Sequence, residues 1–334
     1  MLAARIAAQG LAGEPARSPE AVAERLLAVQ GQDPRGARLA IRARSAGLAA
    51  ADVDRALDAG ALLITWLNRG TLHLVRAEDY PWLQALTTPP LLSSCARWLR
   101  RSGISEAEAE RGLATIERAL ADEGPLTRHQ LRERLEAAGV PPAGQVLFFL
   151  AAVRGLVVRG PMADGEHAYV LVRDWLGPQP QVDREAALAE LARRYLAGHG
   201  PADDRDLARW AGLPLRDARA GLTAVAAELA ERDDGLLDLA GREPPEPLPP
   251  PRLLGAFDPL LLGWTSRDDV VGRHKLLVTN NGVFRPFALV GGRAVARWRL
   301  SAGKLTIEPL QRIPKRDTAA LDADAEAVLR YLGR

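Results

Sequence analysis

A chain of 334 residues exceeds one ordinary domain and can bury substantial cores, so two to four modules are expected. Its 47% hydrophobic and 26% charged content is ordinary for a globular protein, and no run approaches the roughly 18 apolar residues of a membrane span, so a soluble protein is expected, with no membrane partner. The lone Cys95 and five scattered His exclude a disulfide framework and a metal cluster, so neither a metal nor a cofactor is expected.

The amino-terminal Ala/Gln/Arg segment is too weakly apolar for a signal peptide, which predicts a cytoplasmic protein. Helical spacing follows over 18–29, 34–46 and 51–59. Between the first two lies Gln30-Gly31-Gln32, followed by Asp33, a good N-cap, and Pro34, suited to a first helical position. In an extended junction two residues at this spacing can point the same way, which reads as a paired-amide corner; the alternative is two ordinary polar residues at a helix end. An apolar strand at 61–66, a turn at Asn68-Arg69-Gly70 and a return at 71–75 complete a helix-then-hairpin plan, the mark of a winged helix. Arg69, Thr71 and His73 alternate along that return and are read as sharing one face, able to reach a DNA backbone or to form only the polar face of a wing.

The plan repeats with helices at 107–121, 128–138 and 145–154 and strands at 155–159 and 167–171. It recurs in part with helices at 184–196, 204–211 and 214–231 and a short wing at 235–239. A Pro-rich stretch at 243–251 is stiff and extended and reads as a linker. Beyond it, strands are expected at 274–278, 283–290 and 294–300, joined at Thr279-Asn280-Asn281-Gly282 and Gly291-Gly292, before a final packing helix at 318–332. On the last strand Arg293, Val295, Arg297 and Arg299 are expected on one face and Ala294, Ala296, Trp298 and Leu300 on the other. The seven tryptophans read as core or interface anchors.

The net charge of +2 hides an uneven distribution. From Arg273 to Arg316, ten basic residues stand against Glu308 alone, a net of +9 that leaves −7 for the remainder. Such asymmetry points to a polyanion-facing surface, or to a solvated sheet face. All three lysines, Lys275, Lys304 and Lys315, lie in this segment.

Four motifs in order resemble one family over nearly the whole chain: Gln30-x-Gln32, Trp66-x-x-Arg69-Gly70-Thr71-Leu72-His73, Phe257-Asp258-Pro259, and Asn281-Gly282-Val283-Phe284-Arg285-Pro286 with Val290-Gly291-Gly292. They are similar to the winged-helix DNA glycosylases of the AlkZ-like and AlkX-like type. The resemblance implies a mostly α protein with β (α+β), in which tandem winged helices form a C around a DNA channel ahead of a β-rich carboxyl-terminal domain. Winged helices are expected at 1–92, 93–178 and 179–242, and the basic domain with its DNA-contacting hairpin and final helix at 252–334. The implied activity is removal of N-alkylated bases, cross-linked ones included, from double-stranded DNA by a monomer working at the bacterial nucleoid.

The resemblance makes Gln30 and Gln32 the catalytic pair, on the AlkZ-like side because the AlkX-like branch has Asp at the second position. The residue between them departs from the family's usual aliphatic and is Gly31. It assigns DNA contact to Arg69, Thr71 and His73 and, at the carboxyl end, to Arg273, His274, Lys275, Asn280, Asn281, Arg285 and Arg297. An alkylated purine is already cationic and leaves without a general acid, so an amide suffices to place water and stabilise the sugar. No Lys lies beside the Gln pair in sequence, which disfavours a Schiff-base lyase step. The alternative, a non-enzymatic winged-helix regulator, has no use for a polar pair at a helix junction, and Asp203, Asp204, Asp206 and Asp217 make the third segment acidic. A generic hydrolase lacks any nucleophile elbow, phosphate loop or metal motif. Asp258 reads either as the partner of a basic group or as a turn cap.

Overall fold

The computed structural model describes residues 1–142, 145–243, 247–272, 274–279 and 281–334, with Lys275 described by its backbone alone. The expected roles of Arg273, Asn280 and the Lys275 side chain, and the middle of the Pro-rich stretch, therefore lie outside the described residues. The chain divides into two compact units, Met1–Val53 with Leu188–Arg334, and Asp54–Ala187. No helix among the described residues is long and apolar enough to cross a membrane.

In the first unit, an antiparallel sheet takes its strands in the order Lys304–Pro309, Arg293–Ser301, Phe287–Val290, Arg252–Leu254. Two-residue loops join its last three strands in sequence, with Gly291 and Gly292 at φ 56° and 77° and Ala302 and Gly303 at φ 48° and 77°. Positive φ at both central residues matches the strand twist, so these turns fix the register. The carboxyl-terminal helix Lys315–Tyr331 buries Leu321, Val328 and Tyr331 against Leu253, Ala288, Ala296 and Trp298 of the sheet. Leu39, on the helix Pro34–Arg42, enters the same core, and the Tyr331 hydroxyl donates to Arg38 O at 2.8 Å. The helix that follows the Gln corner is thereby built into the carboxyl-terminal sheet.

The second unit has helices Glu106–Glu123, Arg128–Ala137 and Val146–Val153 followed by the hairpin Val157–Ala163 and Glu166–Leu171. Val146–Val153 is apolar all round and buried throughout, as that composition requires. The hairpin pairs through Arg159 with Ile64 of a second hairpin, Leu62–Leu67 and Thr71–Arg76. The mixed helical and antiparallel architecture agrees with the expected fold class.

Several boundaries differ from expectation. The segment 274–278 is a 3-10 turn, Lys275–Leu277, with only a Val278–Phe284 bridge, and the strand expected at 283–290 starts at Phe287 because Pro286 has no N–H to donate. The helix expected over 214–231 is Leu215–Ala224, and Leu229–Glu231 turns into a strand paired with Leu237–Leu239. Helices Leu2–Ala8, Tyr80–Thr87 and Pro89–Arg101 and the edge strand Lys304–Pro309 had no sequence expectation.

Candidate active site

The Gln corner is assembled by local backbone chemistry. Ser18 caps the helix Pro19–Leu26 by accepting from Ala21 N at 3.1 Å, and the helix stops at Leu27, which adopts φ 63° and ψ −46°. Ala28 N donates to Leu26 O at 2.7 Å across it, closing a γ-turn of the rare positive-φ kind. Such strain persists only where the surroundings enforce it, and Leu26, Leu27, Ala28 and Val29 are all buried. Val29–Gln30 is then extended, and Asp33 accepts from Gly36 N at 2.9 Å to start the helix Pro34–Arg42 with Pro34 in its first turn. The two amides differ in setting: Gln30 is 7% exposed, whereas Gln32 is open to solvent.

Behind the corner the helix meets backbone directly. A Cβ on Gly36 would lie 2.3 Å from Ala256 O, and one on Gly255 would lie 2.9 Å from Leu39 Cβ and 3.0 Å from Gly36 O, so any side chain at either position would force its neighbours to shift. Two residues on, Asp258 is fully buried and receives Arg44 in a bidentate pair, Nη2 to Oδ1 at 2.8 Å and Nη1 to Oδ2 at 3.0 Å. The remaining N–H groups of Arg44 reach Gln9 O at 2.8 Å, Gln9 Oε1 at 2.9 Å and Ala40 O at 3.0 Å, so all five donors are used. Asp258 Oδ1 also accepts from Leu260 N at 2.9 Å, so both readings of this residue hold, partner of a base and cap of a turn. Neither Arg44 nor Gln9 was legible as its partner, since 214 residues separate the charges.

In the second unit Arg69 does not lie on a strand. It sits in the turn Asn68–Gly70 at φ 53° and ψ 11°, so the expected shared face is reduced to Thr71 and His73 on Thr71–Arg76. His73 is buried, and its Nδ1 donates to Thr71 O at 2.9 Å in the neutral form. Burial first, and the nearby Arg69 charge second, push its pKa down to about 3, so it carries no positive charge to offer a phosphate near neutral pH.

The basic sheet is partly neutralised from within. Glu308 accepts from Arg297 Nε at 2.5 Å and lies 3.3 Å from Arg299 Nε, pairing both with the one acid of the segment. A register shift between Ala294 and Ala296 adds one residue, Val295, to the strand, which buries Val295 and takes Arg293 off the face of Arg297 and Arg299. His274 Nε2 lies 3.1 Å from Gln311 Oε1, Arg285 is half-buried and Asn281 is exposed. The turn beside Asn281 is closed by Thr279 N donating to Val283 O at 3.0 Å. Among the described residues no cluster of His, Cys, Asp and Glu could hold a metal ion.

The family model for DNA glycosylase AlkZ-like proteins matches residues 23–331, and the chain belongs to that family of DNA glycosylases. Among known proteins it is similar to an interstrand DNA cross-link repair glycosylase of Streptomyces sahachiroi, 30% identical over 355 residues that span 96% of this chain and 93% of that one. Among solved structures it is similar to the Streptomyces sahachiroi DNA glycosylase AlkZ, with a TM-score of 0.80 and 25% identity over 99% of this chain and 95% of the other.

Proposed function

We propose that this glycosylase hydrolyses the N-glycosidic bond of cationic N-alkylated purines of the N7-alkylguanine type in double-stranded DNA, unhooks interstrand cross-links, and leaves an abasic site in an intact strand. The observation that carries the reading is the Gln30-Gly31-Gln32 corner, held between a γ-turn and an Asp33-capped helix. In this reading the bond from the sugar C1′ to the base breaks first, and its electron pair neutralises the alkylated ring. The amide oxygens of Gln30 and Gln32 stabilise the sugar cation and hold a water by accepting its hydrogen bonds. Water oxygen then bonds to C1′ and its proton passes to solvent, since an amide has no basicity to take it. Uncharged lesions, which need an acid to leave, are cleaved slowly.

The absence of any Lys outside Lys275, Lys304 and Lys315 supports a monofunctional enzyme. Similarity to the interstrand DNA cross-link repair glycosylase of Streptomyces sahachiroi supports cross-linked substrates. Arg69, Thr71, His274, Lys275, Asn281, Arg285 and Arg297 are assigned to DNA contact, with the enzyme acting as a cytoplasmic monomer. His73 keeps its uncharged ring as a hydrogen-bonding group.

The experiment is incubation with duplex carrying N7-methylguanine, with and without mild alkali, and with borohydride present. Strand breaks that appear only after alkali, with no covalent adduct, are expected. No abasic sites would remove the substrate assignment; an adduct at Lys275, or breaks without alkali, would show a lyase.

A further inference from the structure

The helix Pro89–Arg101 reads Pro-Pro-Leu-Leu-Ser-Ser-Cys-Ala-Arg-Trp-Leu-Arg-Arg, with three arginines and no acid. Cys95 is its buried anchor, and at 3.6 residues per turn Arg97, Arg100 and Arg101 fall within about 100° of one another on the opposite side. All three are exposed. Among the other surface arginines of the same unit, Arg134 pairs with Glu123, Arg154 with Glu110 and Arg173 with Glu117, while Arg111, Arg118 and Arg132 have no carboxylate within 4.0 Å among the described residues but lie on helices that carry acids of their own. Arg97 reaches only the Ser94 hydroxyl, at 3.1 Å, and no acid lies within 4.0 Å of the three among the described residues.

At the edge of this face Trp98 is 39% exposed, one side of its ring tilted against Phe149 with centroids 5.6 Å apart. Of the two places expected for a tryptophan, core or interface, Trp98 is not in the core. Favourable placement at a helix carboxyl end accounts for Arg100 and Arg101, but not for Arg97 a turn earlier or for an indole left in solvent beside them.

We propose that this helix is a DNA-contacting element separate from the basic carboxyl-terminal segment: Arg97, Arg100 and Arg101 bind duplex phosphates and the free face of Trp98 packs on the sugar or base edge between them. Unpaired positive charge with an interleaved aromatic is the chemistry that binds a nucleic-acid backbone and a flat apolar edge together. The inference rests on the reading of the protein as acting on duplex DNA, and it adds a surface that neither the amide corner nor the basic sheet supplies.

The test uses the full chain and undamaged duplex, with anisotropy measured from about 50 to 200 mM salt. The R97A/R100A/R101A variant should make the slope of log affinity against log salt shallower by roughly 0.9 per lost contact, about 2.7 in all, and R97K/R100K/R101K should restore most of it. Trp98→Ala should leave the slope unchanged and weaken binding about tenfold. Thermal unfolding of each variant should match the parent. A steep parent slope that survives the triple alanine substitution would overturn this proposal alone, as would a loss confined to anionic phosphatidylserine vesicles. A parent chain without salt-dependent duplex binding would overturn the DNA chemistry proposed above as well.

Discussion

In the unit that carries the Gln corner, the buried Arg44 guanidinium uses all five N–H groups on Asp258, Gln9 and Ala40. In the unit Asp54–Ala187, the Asn68 carboxamide, the Thr65 and Tyr80 hydroxyls and the Trp175 indole nitrogen are buried with no hydrogen-bond partner among the described residues. The difference teaches where the molecule invests rigidity. A fully satisfied polar network holds one geometry, and here it braces the helix that starts just after Gln32. The unsatisfied Asn68 carboxamide, within the strained turn at Arg69, is the kind of feature that occurs where a protein handles ligand or solvent.

Breaking the braced side should have the largest effect. Arg44→Ala leaves the Asp258 carboxylate buried without its charge partner, and a loss of about 3–5 kcal/mol in denaturant-measured stability is expected. Replacing both members together, Arg44→Met with Asp258→Leu, should recover much of it, because the cost lies in the orphaned charge. A loss below about 1 kcal/mol for the single substitution would show that the pair does not brace the fold.

One buried histidine in each unit gives the next comparison. His73 and His199 both have pKa values lowered to about 3, desolvation by burial being the first cause for each. An unfolded His binds its proton below pH about 6.5, so between there and pH 3 the unfolded state holds more protons and stability falls as pH falls. Each should contribute a slope of up to about 1.4 kcal/mol per pH unit, or about 2 kcal/mol lost by pH 5. Urea unfolding at pH 7, 6 and 5 reads this. His199→Gln should flatten the profile by one share, and an unaltered profile would mean that this ring is not held neutral.

Comparable in size is the expected effect of Gly36→Ala, where the new methyl meets the Ala256 carbonyl. Overpacking of this kind costs about 1–3 kcal/mol. Because the strain falls on the first turn of the helix after Gln32, single-turnover base release should drop further than stability. Equal activity in a stable Gly36→Ala variant would separate the brace from the corner.

What could be read from the sequence was local. Asp33 and Pro34 announced the helix start, Gly291-Gly292 its hairpin, and the alternation of Ala296, Trp298 and Leu300 the packing face. What could not be read depends on distant partners. The Gly36–Ala256 contact and the Arg44–Asp258 pair join segments more than 200 residues apart, and no spacing rule reaches across them. The extra residue at Val295 reverses an alternation that is correct on either side of it. The apolar run after His274 was read as a strand, where periodicity cannot distinguish it from the 3-10 turn Lys275–Leu277. For Trp98 the sequence left core and interface open, because composition gives a tryptophan's usual places and not its exposure.

The central claim is that two neutral amides perform the chemistry, and single-turnover release of N7-methylguanine measures it most directly. With duplex saturating, Gln32→Ala should slow release by about 100- to 1,000-fold, the equivalent of about 2.7–4 kcal/mol, while its affinity for the same duplex stays within a factor of about two. Gln30→Ala should behave alike. Unchanged release in both variants, or a loss that follows affinity alone, would contradict the account.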